Sequence, residues 1–406
     1  MKRRLFILVL ILATCLTIFG GCAGNKTEAP AGTDAPDAAT GEAIKVGLLA
    51  PLTGDVAVYG TAVKNAVELY VDKFNAEGGV NGTPIKLIIL DEKGDPTEAV
   101  NAYNRLVNDD EVVAIIGDVT STPTFAVAQA SVADNMPMLT PTATHPDVTS
   151  YGKNMFRACF QDPDQSSTMA KLAYEDLGAK TAAVIYNSSD AYSVGLKDAF
   201  VETANELGLE IVATEAYGKD DVAFQAQLTN IGSANPDVLF IPDYYNPCYM
   251  IARQAKDMGI TATLLGVDGT DGVLSIEGAD KSVLDGIYFS NHYFVGDSAE
   301  IVQNFVNDFK DKYGEEPNAL AALGYDAAMI MCAAIKSVAD SGMKIDNSAE
   351  CHQAIIDAIS ATDMTTVTGH LTFDENNNTI KELSIIKIVY KDGDATYELY
   401  GKIAAN

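Results

Sequence analysis

The feature that most constrains this chain is a twice-repeated alternation of short apolar strands with amphipathic helices. It begins at "IKVGLLA" (44–50). Val63, Ala66, Val67, Tyr70, Val71 and Phe74 then recur at helical spacing and stop at Gly78 and Gly79. "IKLIIL" (85–90), a helix through "EAVNAYNRLVND", "VVAIIG" (112–117), a helix opened by Ser121 and "MPMLT" (136–140) complete a first set. "TAAVIYN" (181–187), "EIVATEAY" (210–217), "DVLFIPD" (237–243) and "TLLGV" (263–267), with helices between them, form a second. Strands that are apolar along their whole length are buried on both faces, which places them in parallel sheets covered by helices. Helices are expected at 298–313, 320–340 and 349–360, and the closing "TGHLTF" and "ELSIIKIVY" read as antiparallel strands. The expected fold is two doubly wound α/β lobes.

At 406 residues the chain is too long for one compact core, so two domains are expected. Its formal charge is −29. Lys2, Arg3 and Arg4 fall in a leader expected to be removed; 24 basic against 56 acidic residues then leave −32. Such a balance excludes nucleic acid and electrostatic attachment to anionic lipid.

"MKRR" is a positive start, and the 15-residue apolar "LFILVLILATCLTIF" is shorter than the roughly 20 residues of a spanning helix. Residues 1–21 therefore read as a signal peptide. "FGGC" (19–22) resembles the bacterial lipoprotein box, with Phe19 where Leu is usual. That resemblance implies cleavage before Cys22 and a lipid anchor on its sulfur, tying the protein to the membrane. The stretch 22–43 lacks the apolar residues needed to offset its ordering entropy and reads as a tether.

Ligands of open α/β sheets bind beyond the carboxyl ends of the strands. In the first lobe these ends read "APLTGDVAVYG" (50–60), "GDVTSTPT" and "TPTATHP" (140–146); in the second, "YNSSDAYSVG" (186–195), "IPDYYNPCY" (241–249) and "GVDGTDG" (266–272). They supply hydroxyls at Ser121, Thr144, Tyr192 and Tyr244, free helix-start amides and one acid, Asp268. Amides with a hydroxyl suit a carboxylate, and a lone carboxylate suits an ammonium. Together they describe a site for a zwitterion. The plainer alternatives are a helix cap at Ser121, a turn residue at Asp268 and tyrosines serving only as wall. No G-x-S-x-G, Walker loop or G-x-G-x-x-G is present, the four histidines are scattered, and no nucleophile–base pair can be assembled. "DENNNTIKE" (374–382) mimics a calcium loop but lacks its sixth-place glycine and distal glutamate, so a turn is expected and no metal. Cys159, Cys248, Cys332 and Cys351 form no C-x-x-C and read as buried small residues, a disulfide among them being the alternative.

"IKVGLLAPLTGDVAVYG", "EGGVNGTPIKLIILDEKGDP", "GDVTSTPT" and "TPTATHP", supported by "RQAKDMG" (253–259) and "LLGVDG" (264–269), resemble the solute-binding proteins of branched-chain amino acid ABC transporters, from residue 44 onward. The resemblance implies a type I periplasmic binding protein fold, with lobe one at 44–160 plus 293–375 and lobe two at 161–292 plus 376–406. Three strands would join them as a hinge. It implies a monomer without cofactor that hands an amino acid to a membrane permease. Ser121 and the Thr144 amide would hold the carboxylate, helped by the Tyr244 hydroxyl. The Ala143 carbonyl, the Thr144 hydroxyl and Asp268 would meet the ammonium. Tyr59, Val119, Thr120, Tyr192 and Leu320 would surround the ligand's side chain. Known members carry glutamate at the place of Asp268 and a disulfide at the places of Gly94 and Thr120, so this chain lacks that crosslink. The same fold tuned to amides, urea or aromatic acids, or used as a ligand sensor, is the alternative.

Overall fold

The computed structural model describes residues 42–403. The leader, Cys22 and most of the tether, at 1–41, lie outside the described residues. The chain first forms β1 (Ile44–Ala50), α1 (Ala57–Ala76), β2 (Ile85–Asp91), α2 (Pro96–Asn108), β3 (Ala114–Ile116), α3 (Ser121–Ser131), β4 (Met138–Thr140) and β5 (Met155–Arg157). It continues through α4 (Asp162–Lys171), β6 (Thr181–Asn187), α5 (Ala191–Leu207), β7 (Glu210–Tyr217), α6 (Gln225–Ala234), β8 (Val238–Phe240), α7 (Tyr245–Asp257), β9 (Thr263–Gly266) and β10 (Tyr288–Asn291). Then come α8 (Glu300–Tyr313), α9 (Ala319–Asp340), α10 (Ala349–Ser360), β11 (Asp363–Thr366), β12 (Gly369–Thr372), β13 (Leu383–Lys391) and β14 (Asp394–Ile403).

The first sheet has the order β2-β1-β3-β4-β5 and is parallel throughout. The second reads β7-β6-β8-β9-β10-β13-β14 from its other edge, so its first five strands repeat the same winding. These two α/β lobes make the type I periplasmic binding protein fold. Each sheet reverses direction between its first and third strands, where a crevice opens for ligands. Loops after β1 and β3 flank one crevice, and loops after β6 and β8 flank the other. The second sheet is mixed: β13 runs antiparallel to β10, and β14 to β13. "TGHLTF" does not join it. Its strand β12 pairs with β11 in a separate hairpin.

Local chemistry sets these elements. Asp95 caps α2 by accepting from the amides of Thr97 (2.8 Å) and Glu98 (3.0 Å), with Pro96 at the first helical position. α9 is apolar and long enough to cross a membrane, yet most of it is buried inside the protein, where it packs along α1. Gly324 permits that approach, since a Cβ there would sit 2.9 Å from the Val63 carbonyl oxygen.

The chain leaves the first sheet after Arg157, returns toward it after Asn291 and crosses again between Thr372 and Leu383. The first and third crossings are stitched together. Arg157 N–H donates to the Asn377 carbonyl (3.3 Å), Thr379 Oγ1 to the Cys159 carbonyl (2.8 Å) and Lys381 Nζ to the Ala158 carbonyl (3.0 Å). Phe160 of the first crossing stacks on His292 of the second, with ring centroids 3.7 Å apart. The four cysteines of the described residues are buried and free. The "DENNNTIKE" segment is a turn in which Asp374 Oδ1 accepts from the amides of Asn376 and Asn378.

Candidate functional site

Between the lobes lies a narrow cleft lined by Tyr59, Val119, Thr120, Ser121, Thr142 and Thr144 and by Tyr192, Tyr244, Asp268, Gly269 and Leu320. Of the ten residues expected around a ligand, nine meet here and one does not. Ala143 is not among the residues lining the cleft, and its carbonyl accepts from Arg157 Nη1 (3.3 Å) and Cys159 Sγ (3.4 Å). Its neighbour Thr142 lines the cleft instead.

The pole built by the first lobe is rich in unspent donors. α3 begins at Ser121, one residue earlier than a Ser121 cap requires, and Thr120 stands at the cap position without a side-chain hydrogen bond. The opening amides of such a helix point outward and favour an anion. Ser121 Oγ accepts only a long bond from the His145 amide (3.4 Å). Thr144 Oγ1 is buried with no partner among the described residues. Arg157, fully buried, holds this loop in place by donating from Nη1 to the Thr144 carbonyl (2.8 Å) and from Nη2 to the Pro146 carbonyl (2.9 Å).

The opposite pole is Asp268, directly after β9. Its Oδ1 accepts from the Tyr192 hydroxyl (2.6 Å), Gln165 Nε2 (3.0 Å) and the Gly269 amide (3.0 Å), and its Oδ2 lies 3.1 Å from His292 Nε2. Burial alone would raise its pKa. The bonds from His292, Tyr192 and Gln165 outweigh that and hold the carboxyl below its ordinary range, so it is an anion. Gln165 is itself satisfied, its Oε1 accepting from the Asp268 amide (3.1 Å) and Ser290 Oγ (2.8 Å).

Aromatic rings close the middle. Tyr192 and Tyr244 stack with centroids 4.9 Å apart and planes at 3°, and Tyr59 meets Tyr244 edge-on at 5.7 Å. Tyr59 also bridges the lobes: its hydroxyl donates to the Gly269 carbonyl and accepts from the Tyr245 amide (3.0 Å). Thr122 Oγ1 donates across to Asp190 Oδ1 (2.8 Å). The lobes are therefore in a closed arrangement.

Behind the β3 loop, Glu92 and Asp118 are both fully buried. Burial, then the adjacent Asp118 charge, pushes Glu92 far up; burial also raises Asp118. Both carboxyls are thereby biased toward the protonated form. The ordinary glutamate pKa is 4.5, so this pair's contribution is complete below that pH and is lost as pH rises toward the raised folded value. Glu92→Gln keeps a donor without the titration. Its unfolding free energy in urea is expected to show less decline from pH 5 to pH 9 than the parent's; equal declines would reject a protonated Glu92 in the folded state.

Sequence reasoning missed Gln165, His292, Arg157 and Thr142. His292 directly follows β10, whose end had not been read. Among the described residues no cluster of His, Cys, Asp or Glu is arranged to hold a metal.

Two lobes of repeated winding, closed on a cleft with a donor-rich pole and an anionic pole, define a solute-binding protein of the type I periplasmic class. The profile of the periplasmic binding protein family matches residues 43–394, and the chain belongs to that family, whose members bind rather than catalyse. Among curated relatives it is 37% identical to a Leu/Ile/Val-binding protein of Rhizobium johnstonii over 56% of this chain. That match spans 61% of the relative's length. It is 27% identical to the leucine-, isoleucine-, valine-, threonine- and alanine-binding protein of Pseudomonas aeruginosa over 83% of this chain and 87% of that one. Among solved structures, a leucine-binding protein from Thermotoga maritima superimposes with a TM-score of 0.79 at 33% identity, covering 89% of this chain and 99% of that one. The substrate-binding protein of a branched-chain amino acid transporter from Streptococcus pneumoniae, in complex with isoleucine, gives 0.81 at 30% identity over 89% and 100%.

Proposed function

We propose that this protein captures a single amino acid, branched-chain foremost, between its lobes and delivers it to the permease of an ABC transporter outside the cytoplasm. The observation that carries the reading is the separation of unmatched poles. Helix-start amides with the Ser121 and Thr144 hydroxyls face the cleft from one lobe, and anionic Asp268 faces it from the other. A dehydrated zwitterion is stable only when both charges are paired, so each pole selects one end of the ligand. Closure follows, because neither lobe alone satisfies the molecule. The relatives named for leucine, isoleucine and valine support the same class of ligand. Lipid attachment at Cys22 would keep the protein beside its permease.

Isothermal titration against the twenty amino acids, with amides, urea and aromatic acids alongside, tests the reading. Binding of leucine, isoleucine or valine is expected. Heat from aromatic acids or amides alone would overturn it.

A further inference from the structure

His292 lies outside the set of residues that line the cleft, yet it touches the one acid that does. Its ring is buried, stacked on Phe160, and its Nε2 is 3.1 Å from Asp268 Oδ2. Its other nitrogen, Nδ1, is buried with no partner among the described residues. A protonated imidazole carries N–H groups on both nitrogens. Here the second would be buried without an acceptor, at a substantial cost in free energy. A neutral ring with the proton on Nε2 fits: it donates to Asp268 and leaves only a bare lone pair at Nδ1.

All four donors to Asp268 are then neutral: the Tyr192 hydroxyl, the Gln165 amide, the Gly269 N–H and His292 Nε2–H. The carboxylate is oriented by these bonds but keeps its full charge. Three donors crowd Oδ1 and one occupies Oδ2, so the remaining room for a ligand lies on Oδ2, beside His292. We infer that His292 is a positioning residue of the ammonium pole: its neutral ring turns Asp268 toward the cleft and preserves the charge that discriminates for an amine. The inference rests on the amino-acid reading of the cleft.

The charged groups around the ring oppose one another. Asp268 and Asp271 favour its protonation, whereas burial, the largest influence, and Lys381 disfavour it; the net direction is downward from 6.5. Asp271 is spent on the Gly272 amide, Asn291 and the Ala319 amide, and Lys381 on the Ala158 carbonyl and the Thr368 hydroxyl. Asp162, on α4, bears on Asp268 and is pushed up to about 8, first by burial and then by Asp268. Protonating His292 would place a cation beside Asp268 and offset its attraction for the amine.

The test is calorimetric titration of the mature chain with leucine and with 4-methylpentanoate, its des-amino analogue, from about pH 8 to about pH 5. The parent and His292→Gln, which retains a neutral donor, are compared. In the parent, leucine affinity is expected to fall toward acid, approaching about tenfold per pH unit once the ring titrates. Leucine binding at the acid end should release a proton, seen by comparing buffers of different ionisation enthalpy. Affinity for 4-methylpentanoate should not fall. His292→Gln should hold a flat leucine profile; Asp162 remains in that variant, so its own titration is controlled. Parallel leucine profiles in the two proteins, or no proton release by the parent, would overturn the role of His292. Should the variant fail to fold, His292→Asn, which also keeps a neutral donor, takes its place in the same comparison. Failure of the parent to bind any amino acid at pH 8 would overturn the amino-acid reading and this inference with it.

Discussion

Leucine affinity should drop by about 2–5 kcal/mol, at least about 30-fold in Kd, when Asp268 is replaced by Asn. The variant removes the only anion among the residues lining the cleft and strands the ligand's ammonium. It should fold, because the network can adapt. Asn Oδ1 can keep the bonds from Tyr192, Gln165 and the Gly269 amide, so only the bond to His292 Nε2 is lost. Binding of 4-methylpentanoate, which has no ammonium, should be little changed. Calorimetry on both ligands checks this, and equal losses would remove Asp268 from the ammonium role.

The second large effect is on stability. Arg157→Met strips the Pro146 carbonyl of its donor and takes one donor each from the carbonyls of Ala143 and Thr144, which keep Cys159 Sγ and the Asp162 amide. One unpaired acceptor and two lost charged bonds give an expected loss of about 2–4 kcal/mol. The thermal midpoint should fall by about 3–5 °C. Arg157→Lys, with one cationic group that cannot span three carbonyls, should recover only part of this. Scanning calorimetry is the measurement. A shift below about 2 °C would mean that Arg157 does not hold the Thr144 loop.

Much of the fold was legible because burial on both faces leaves a plain mark: "IKVGLLA" and "TAAVIYN" contain little but apolar residues and became β1 and β6. β5 was not legible, since its three residues include Arg157, which reads as polar although it is fully buried. In the site, hydroxyls and tyrosines at strand ends could be found because those ends face the crevice. The choice between Thr142 and Ala143 could not: adjacent residues differ only in which way their groups turn, and Arg157 on the neighbouring strand β5 takes the Ala143 carbonyl. Gln165 and His292 act through Asp268, so no spacing in the sequence marks them.

Phe160 and His292 belong to the connections about which the lobes must bend, and His292 also holds the residue that would grip the guest. The pivot and the grip are thus adjacent parts of one assembly. Any change in angle between the halves must either carry Asp268 along or break its bond to His292. Occupancy can accordingly be communicated to the outer faces by leverage alone, without a relay of intermediate side chains.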